Sequence, residues 1–344
     1  FFVILSTYVI FKASYSFDIA ASFLSRKMPS GIKGPTINAV ASSLPELLIS
    51  FLFLFYYEDL EGFSAGYATI IGSAAFNICI IPSIAALTFF YFNDKDSIKL
   101  NSDVIVQDSL FNVISIISLG CIFYFEHISP INSLLLIIIY FIYIYSVFKF
   151  RKKLKPMPYE QIVLNNESIL SDILQLKIFA LLGSRVNKFS SLVVVLISLI
   201  LIASSCQLLT FSCEYLSSLY GVNLFYVSFF IAAVASSVPD TILSFYDAKK
   251  GQFDDAFSNA FGSNIFDICI GLGLPVFIYT LLNGDIFLNQ NLKFGSDLLI
   301  NSLLLLLLLS VSIGILFSIG NLNKKKISFT LLMYILFIFL LVRL

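Results

Sequence analysis

Charge is what this chain has least of. Lysine, arginine, aspartate and glutamate make up 12% of its 344 residues, about half the share of an ordinary soluble domain. The charges present cancel, with 21 basic and 21 acidic residues, so the basic footprint of a nucleic-acid binder is missing. Histidine occurs once, as His127, in what reads as an exposed loop edge. Cysteine occurs at 79, 121, 206, 213 and 269, always in apolar surroundings and never as Cys-x-x-Cys. That pattern indicates neither a disulfide framework nor a zinc site. The cysteines read as small packing groups at helix contacts. No nucleophile–base pair or metal-hydrolase arrangement appears, so the chain does not read as an enzyme. The opening FFVILSTYVIF has neither a basic n-region nor a cleavage motif; a signal peptide is expected to be absent or already removed.

Apolar sequence fills the space that charge leaves. Hydrophobic residues reach 58% and mean hydropathy is +0.94. Many windows of roughly 20 residues carry few or no charges, the length a helix needs to cross a bilayer. The runs lack the alternation of a transmembrane barrel. They predict an all-α membrane protein with the lipid bilayer as its surroundings. Apolar length and breaker residues give about ten spans, at 1–26, 32–57, 64–92, 104–125, 131–150, 189–218, 223–247, 252–282, 294–318 and 328–344. The one long polar segment, 151–188, lies between spans five and six and has room for a short amphipathic helix near 169–182.

Basic residues predict the orientation. The loops after odd-numbered spans hold Arg26, Lys27, Lys33, Lys95, Lys99, the cluster from Lys149 to Lys188, Lys249, Lys250 and Lys324 to Lys326; only Lys12, Lys293 and Arg343 fall elsewhere. By the positive-inside bias those loops, 151–188 included, are cytoplasmic and both termini are outside. Five spans per half then reverse the second half in the membrane. The expected organisation is two inverted five-helix repeats, 1–150 and 189–344, joined by the loop 151–188.

The repeats are visible residue by residue. AVASSLPELLIS at 39–50 matches AVASSVPDTILS at 233–244, with Glu46 aligned to Asp240. GSAAFNICI at 72–80 matches GSNIFDICI at 262–270, with Asn77 aligned to Asp267. Acids inside apolar spans are costly and mark ion paths. Placed in corresponding proline-interrupted segments of two halves, they point to a transport site at the membrane midplane.

Proline within a helix also withholds a backbone donor, and carbonyls so released near Ala39, Ser42, Ala233 and Ser236 are candidate cation ligands. Ser43 and Ser237 precede each acid by three residues. Ser73 and Ser263 precede Asn77 and Asp267 by four, on the same helical face. All these donors are oxygen. Such a set suits hard cations, Ca²⁺ taking 6–8 oxygens, whereas softer metals favour imidazole or thiolate. Asp18 and Glu214 occupy similar places in spans one and six and read as paired or helix-end acids. Glu58, Asp59 and Glu61 read as a solvated outer rim, and Asp247, Asp254 and Asp255 as a solvated cytoplasmic turn.

At these four motifs the chain resembles the cation/calcium antiporter superfamily, the sodium/calcium exchangers. The resemblance covers 31–92 and 222–282. It implies that Glu46 and Asp240 are central Ca²⁺ ligands flanked by Asn77 and Asp267. It also implies that Ser43, Ser73, Ser237 and Ser263, with the Ala39, Ser42, Ala233 and Ser236 carbonyls, help form Na⁺ sites. Both copies read Ala-Ser-Ser where the family usually has glycine first, so Ala41 and Ala235 reduce backbone freedom. The implied function is Na⁺/Ca²⁺ antiport by alternating access, with no cofactor, a monomer sufficing, in a prokaryotic-type plasma membrane. Spans one and six are implied to slide against the other eight. The family's large regulatory loop is not expected here. A K⁺-dependent exchanger, carrying an acid at the Asp267 position, and a Ca²⁺/H⁺ antiporter share the scaffold. A cation channel is the alternative of a different class.

Overall fold

The computed structural model describes residues 1–24, 32, 36, 39–57, 60–93, 96–151, 172, 175–182, 186–249, 251, 253–288 and 295–344. Long helices dominate: α1 (Phe2–Leu24), α4 (Leu60–Asn93), α5 (Ser102–Tyr124), α6 (Pro130–Arg151) and α8 (Lys188–Tyr220). α14 (Gly295–Ser318) and α15 (Lys324–Arg343) close the chain. Helices suit a bilayer because each backbone donor finds its acceptor within the same segment. Among the described residues nine helical stretches are long and apolar enough to cross a membrane. The remaining expected span is present as a shorter apolar helix, α3 (Leu44–Tyr57), preceded by the turn α2 (Ala39–Ser42).

The observed helices follow the hydropathy runs but differ in continuity. The second span is bent at Ser43, two residues before Pro45. The seventh is assembled from α9 (Leu224–Val227), a π-helical turn at Ser228–Ala232, α10 (Ala233–Ser236) and α11 (Val238–Lys249), bent at Ser237. The eighth joins α12 (Phe253–Phe266) to α13 (Gly273–Asn283) through a π turn at Asp267–Leu272. Prolines 45 and 239 explain the two bends, since neither has an N–H to give one turn back. The equivalent interruptions fall in equivalent spans, and the chain is a pair of inverted repeats.

α4 is the axis of the molecule, with 78% of its apolar window buried. Tyr67 on this helix is fully buried and donates to the Leu299 carbonyl at 2.8 Å. The largest apolar core gathers around it from α5, α6, α12, α13, α14 and α15. α1 and α8 contribute nothing to that core. They pack along each other, and residues such as Ile10, Ile202 and Cys206 cluster with Ile49 and Phe53 of α3 instead.

Two minimal antiparallel ladders tie loops together. β1 (Ser97–Ile98) pairs with β4 (Leu322–Asn323), and β2 (His127–Ile128) with β3 (Ile286–Phe287). His127 is therefore more than an exposed loop residue: its Nε2 lies 2.6 Å from Asp285 Oδ2 and its ring stacks on Phe287. Of the expected amphipathic helix, a single turn, α7 (Ile178–Leu181), is described. Residues 175–177 before it are non-helical, while 169–171 and 173–174 lie outside the described residues, as do Arg26, Lys27, Lys33, Lys95, Lys250, Lys293, Glu58, Asp59 and most of 151–188.

Candidate cation site

The two bent spans bring their acids to one place. Each acid follows its proline in the first turn after a bend. Glu46, Asp240 and Asp267 are all 0% exposed. Ser73 of α4 stands among them, its Oγ 3.3 Å from Glu46 Oε1, 3.3 Å from Asp267 Oδ2 and 2.9 Å from Ser237 Oγ. Ser237 Oγ is 3.4 Å from Glu46 Oε1. Asn77 donates to Ser73 Oγ at 3.3 Å and to Asp240 Oδ2 at 3.4 Å. Ser263 donates to Asp240 Oδ1 at 2.8 Å. Residues more than 190 positions apart thus share one polar chain across the repeat axis.

Close packing of small residues makes that meeting possible. A Cβ on Gly72 would stand 2.6 Å from the Phe229 carbonyl and 2.7 Å from the Ala233 Cβ. Only glycine lets α4 approach the π turn so closely. Ser73, the next residue, is thereby carried into the centre of the cluster.

Donors and acceptors do not balance there. A serine hydroxyl has one hydrogen and two lone pairs, yet Ser73 faces three oxygens. Glu46 Oε2, Asp267 Oδ1 and Asn77 Oδ1 are buried with no hydrogen-bond partner. Among the described residues no lysine or arginine forms an ion pair with any of the three acids. A carboxylate without a counter-charge in an apolar interior is strongly unfavourable, so these groups require protons or cations. The described residues include no group of three His, Cys, Asp or Glu side chains able by themselves to hold a metal ion. The acids are linked through hydroxyls and amides, so a cation seated here would share those oxygens.

The other expected ligands lie beside the acids as well, Ser42 near Asp240 and Ser236 near Glu46. Ser42 and Ser236 turn their hydroxyls back onto the Ala39 and Ala233 carbonyls, at 3.4 and 3.1 Å. Those carbonyls also accept the N–H of Ser43 and Ser237. The carbonyls that face the two prolines four residues on are those of Ala41 and Ala235. Ser43 is fully buried at the first bend.

Two groups escaped the sequence reading. Asn259 donates to Asp240 Oδ1 at 3.2 Å; its spacing of four from Ser263 places both on one face of α12 and was the available signal. Asn264 donates to the Ala74 carbonyl at 2.9 Å. Arg151, counted with the loop cations, is 3% exposed and paired with the buried Asp108.

Comparison with known proteins places the chain in a family. The family described as sodium/calcium exchanger protein matches residues 1–149 and 190–343, most of the chain. The chain belongs to the sodium/calcium exchanger protein family. Within the family's reach, sodium/potassium/calcium exchanger 1 of Gallus gallus is 33% identical over 118 residues, 34% of this chain and 18% of that protein. Sodium/potassium/calcium exchanger 2 of Mus musculus is 39% identical over 85 residues, 24% of this chain and 13% of that protein. The chain thus matches less than a fifth of the length of these exchangers. In three dimensions it resembles the crystal structure of an H⁺/Ca²⁺ exchanger, with a TM-score of 0.75, 19% identity and coverage of 99% of this chain and 81% of the other. A sodium-calcium exchanger soaked with Na⁺ and Sr²⁺ gives a TM-score of 0.61 at 19% identity, covering 98% and 96%. These likenesses establish the exchanger fold in an integral membrane protein.

Proposed function

We propose that this protein is a secondary active antiporter, not an enzyme, exchanging Na⁺ for Ca²⁺ by alternating access. The observation that carries the reading is the buried oxygen cluster: three acids from both halves, with orphaned oxygens and, among the described residues, no basic partner. Ca²⁺ would bind between Glu46 and Asp240, with Asn77 and Asp267 beside them. Na⁺ would occupy overlapping sites among Ser43, Ser73, Ser237 and Ser263 and the Ala39, Ser42, Ala233 and Ser236 carbonyls. Competition follows from shared ligands, because one set of carboxylates cannot neutralise both loads at once. A monomer contains both halves of the site and suffices. We further propose the units 1–150 and 189–344 for the two repeats. The 151–188 loop is cytoplasmic, both termini are outside, and the membrane is a prokaryotic-type plasma membrane.

A second reading, K⁺-dependent exchange, draws support from the acid Asp267, whose Oδ1 is buried without a partner. The deciding experiment loads proteoliposomes with Na⁺ and dilutes them into Na⁺-free buffer containing radioactive Ca²⁺, with and without K⁺. Uptake that needs internal Na⁺ and is lost in Glu46→Gln and Asp240→Asn supports the antiporter. Uptake only with K⁺ assigns the K⁺-dependent class. Uptake driven by a pH gradient but indifferent to Na⁺ would replace Na⁺ with H⁺. Conductance without a counter-ion would make the protein a channel.

A further inference from the structure

Away from the cation site, α5, α6 and α12 meet at a buried charge pair. Arg151 Nη2 lies 2.5 Å from Asp108 Oδ1, with exposures of 3% and 0%. Arg151 Nη1 donates to Ser258 Oγ at 2.8 Å, and that hydroxyl donates to Asp108 Oδ2 at 2.6 Å. Tyr143 donates to Asp108 Oδ1 at 3.0 Å, and Arg151 Nε to Gln107 Oε1 at 3.1 Å. The carboxylate is fully engaged, and the guanidinium uses three of its nitrogens' directions on two helices.

A buried ion pair is a poor device for stability alone, since desolvation offsets most of its attraction. What it does impose is geometry, because a planar guanidinium accepts few arrangements. Ser258 is the α12 residue held in this way. Its neighbour Asn259, a turn of about 100° further round the helix, gives its amide to Asp240 Oδ1 at 3.2 Å. Ser263, on the same face as Asn259, gives its hydroxyl to the same oxygen at 2.8 Å. A second tether follows further along, where Cys269 Sγ lies 3.2 Å from Ser115 Oγ of α5.

We propose that the Asp108–Arg151 pair, acting through Ser258, is a positioning clamp that fixes the rotation and height of α12 and so aims Asn259 and Ser263 at Asp240. The inference rests on the reading of Asp240 as a cation ligand. A rotation of α12 would carry both donors off one carboxylate oxygen together, changing its orientation and its affinity for a divalent cation. Tyr143 and Gln107 also brace the pair, and among the described residues neither has a hydrogen bond to the cation cluster.

Ser258→Ala is the discriminating variant, because it cuts the link to α12 and leaves the ion pair in place. Three quantities are read in purified protein: melting temperature without divalent cations, its rise on adding Ca²⁺, and the apparent KM for Ca²⁺ in Na⁺-driven uptake. The expected result is a KM raised about tenfold, one hydrogen bond's worth of register, and a smaller Ca²⁺-induced rise. The cation-free melting temperature is expected to fall only modestly, because Asp108 Oδ2 and Arg151 Nη1 each lose one buried partner, and Ser258→Thr, which retains the hydroxyl, to recover both it and the KM. Arg151→Met, which strands Asp108, is expected to share the KM effect and lower the cation-free melting temperature as well. A wild-type KM and Ca²⁺ response in Ser258→Ala overturn the clamp, as does a KM unchanged while cation-free stability falls. Hydrogen exchange across 256–263 without Ca²⁺ gives a separate reading: faster exchange in Ser258→Ala is required, and unchanged exchange overturns the clamp. If wild type shows neither Na⁺-driven uptake nor a Ca²⁺ response, the antiporter reading fails, and the exchange measurement still decides the clamp.

Discussion

Ser73 is the residue on which the candidate site converges, since its hydroxyl stands within hydrogen-bonding distance of two carboxylates and a second serine. Alanine at this position removes a proposed cation ligand and a donor while leaving the helix intact. Ser73→Ala is expected to weaken apparent Ca²⁺ affinity about tenfold, in keeping with roughly 1–1.5 kcal/mol for one buried hydrogen bond; Ca²⁺ titration of uptake reads this. An unchanged affinity would remove Ser73 from the ligand set. At this scale the sequence was informative where residues are duplicated. Glu46, Asp240, Asn77 and Asp267 stand out because two matching segments carry them. Asn259 has no amide counterpart in the first repeat, where Thr69 stands, so repetition passed over it. Asp108 stood alone in an apolar span, and nothing in its neighbourhood announces a partner 43 residues away.

Elements raise a different issue, which is how closely they approach. Gly72 faces the Phe229 carbonyl with no room for a methyl group. Gly72→Ala is expected to destabilise the protein by about 1–3 kcal/mol, the usual cost of overpacking, and to lower its melting temperature in detergent. A melting temperature equal to wild type would show that α4 and the π turn can part freely. At the loop ladder β1–β4, Lys324 Nζ lies 2.8 Å from Asp96 Oδ1. Hydrogen bonding and attraction by this ammonium lower the Asp96 carboxyl below its ordinary 3.8. A lowered folded value means stabilisation that is present above 3.8 and lost as pH falls through the folded value. The melting difference between wild type and Lys324→Ala is therefore expected to be small at neutral pH, as for any exposed pair, to begin to shrink below about 3.8 and to vanish once pH is below the lowered folded value. A difference that persists in acid would assign it to something other than this ion pair. Span positions were legible from hydropathy, because burial in lipid demands apolar length. The π turns at Ser228–Ala232 and Asp267–Leu272 were not, because they answer to what packs beside them.

At the scale of the whole molecule, the described helices fall mainly into two packing units. One is the large core around α4; the other pairs α1 with α8. Their seam, from Ile10 and Ile202 to Ile49 and Phe53, is apolar, and Cys206 Sγ approaches the Pro45 carbonyl at 3.8 Å. On the proposed alternating access, the α1–α8 pair moves against the rest. Tyr56 and Phe211 face each other across the seam with ring centroids 5.0 Å apart. Cysteines at these two positions are expected to stop uptake when oxidised to a disulfide and to restore it on reduction. Full uptake with the disulfide formed would exclude relative motion at that point. The inverted arrangement of the repeats was readable from five spans per half; the division of the core was not, since hydropathy records burial without saying against which neighbour.

The α1–α8 pair also has a second partner. Only 39% of the apolar window of α1 and 33% of that of α8 are buried within the protein, so much of their surface runs against hydrocarbon chains. Any displacement of the pair must shear lipid as well as protein. Turnover would then follow the viscosity of the surrounding acyl chains and fall sharply when they freeze, while equilibrium affinity stayed nearly constant. For such a machine, membrane composition sets the speed and the buried oxygens set the selectivity.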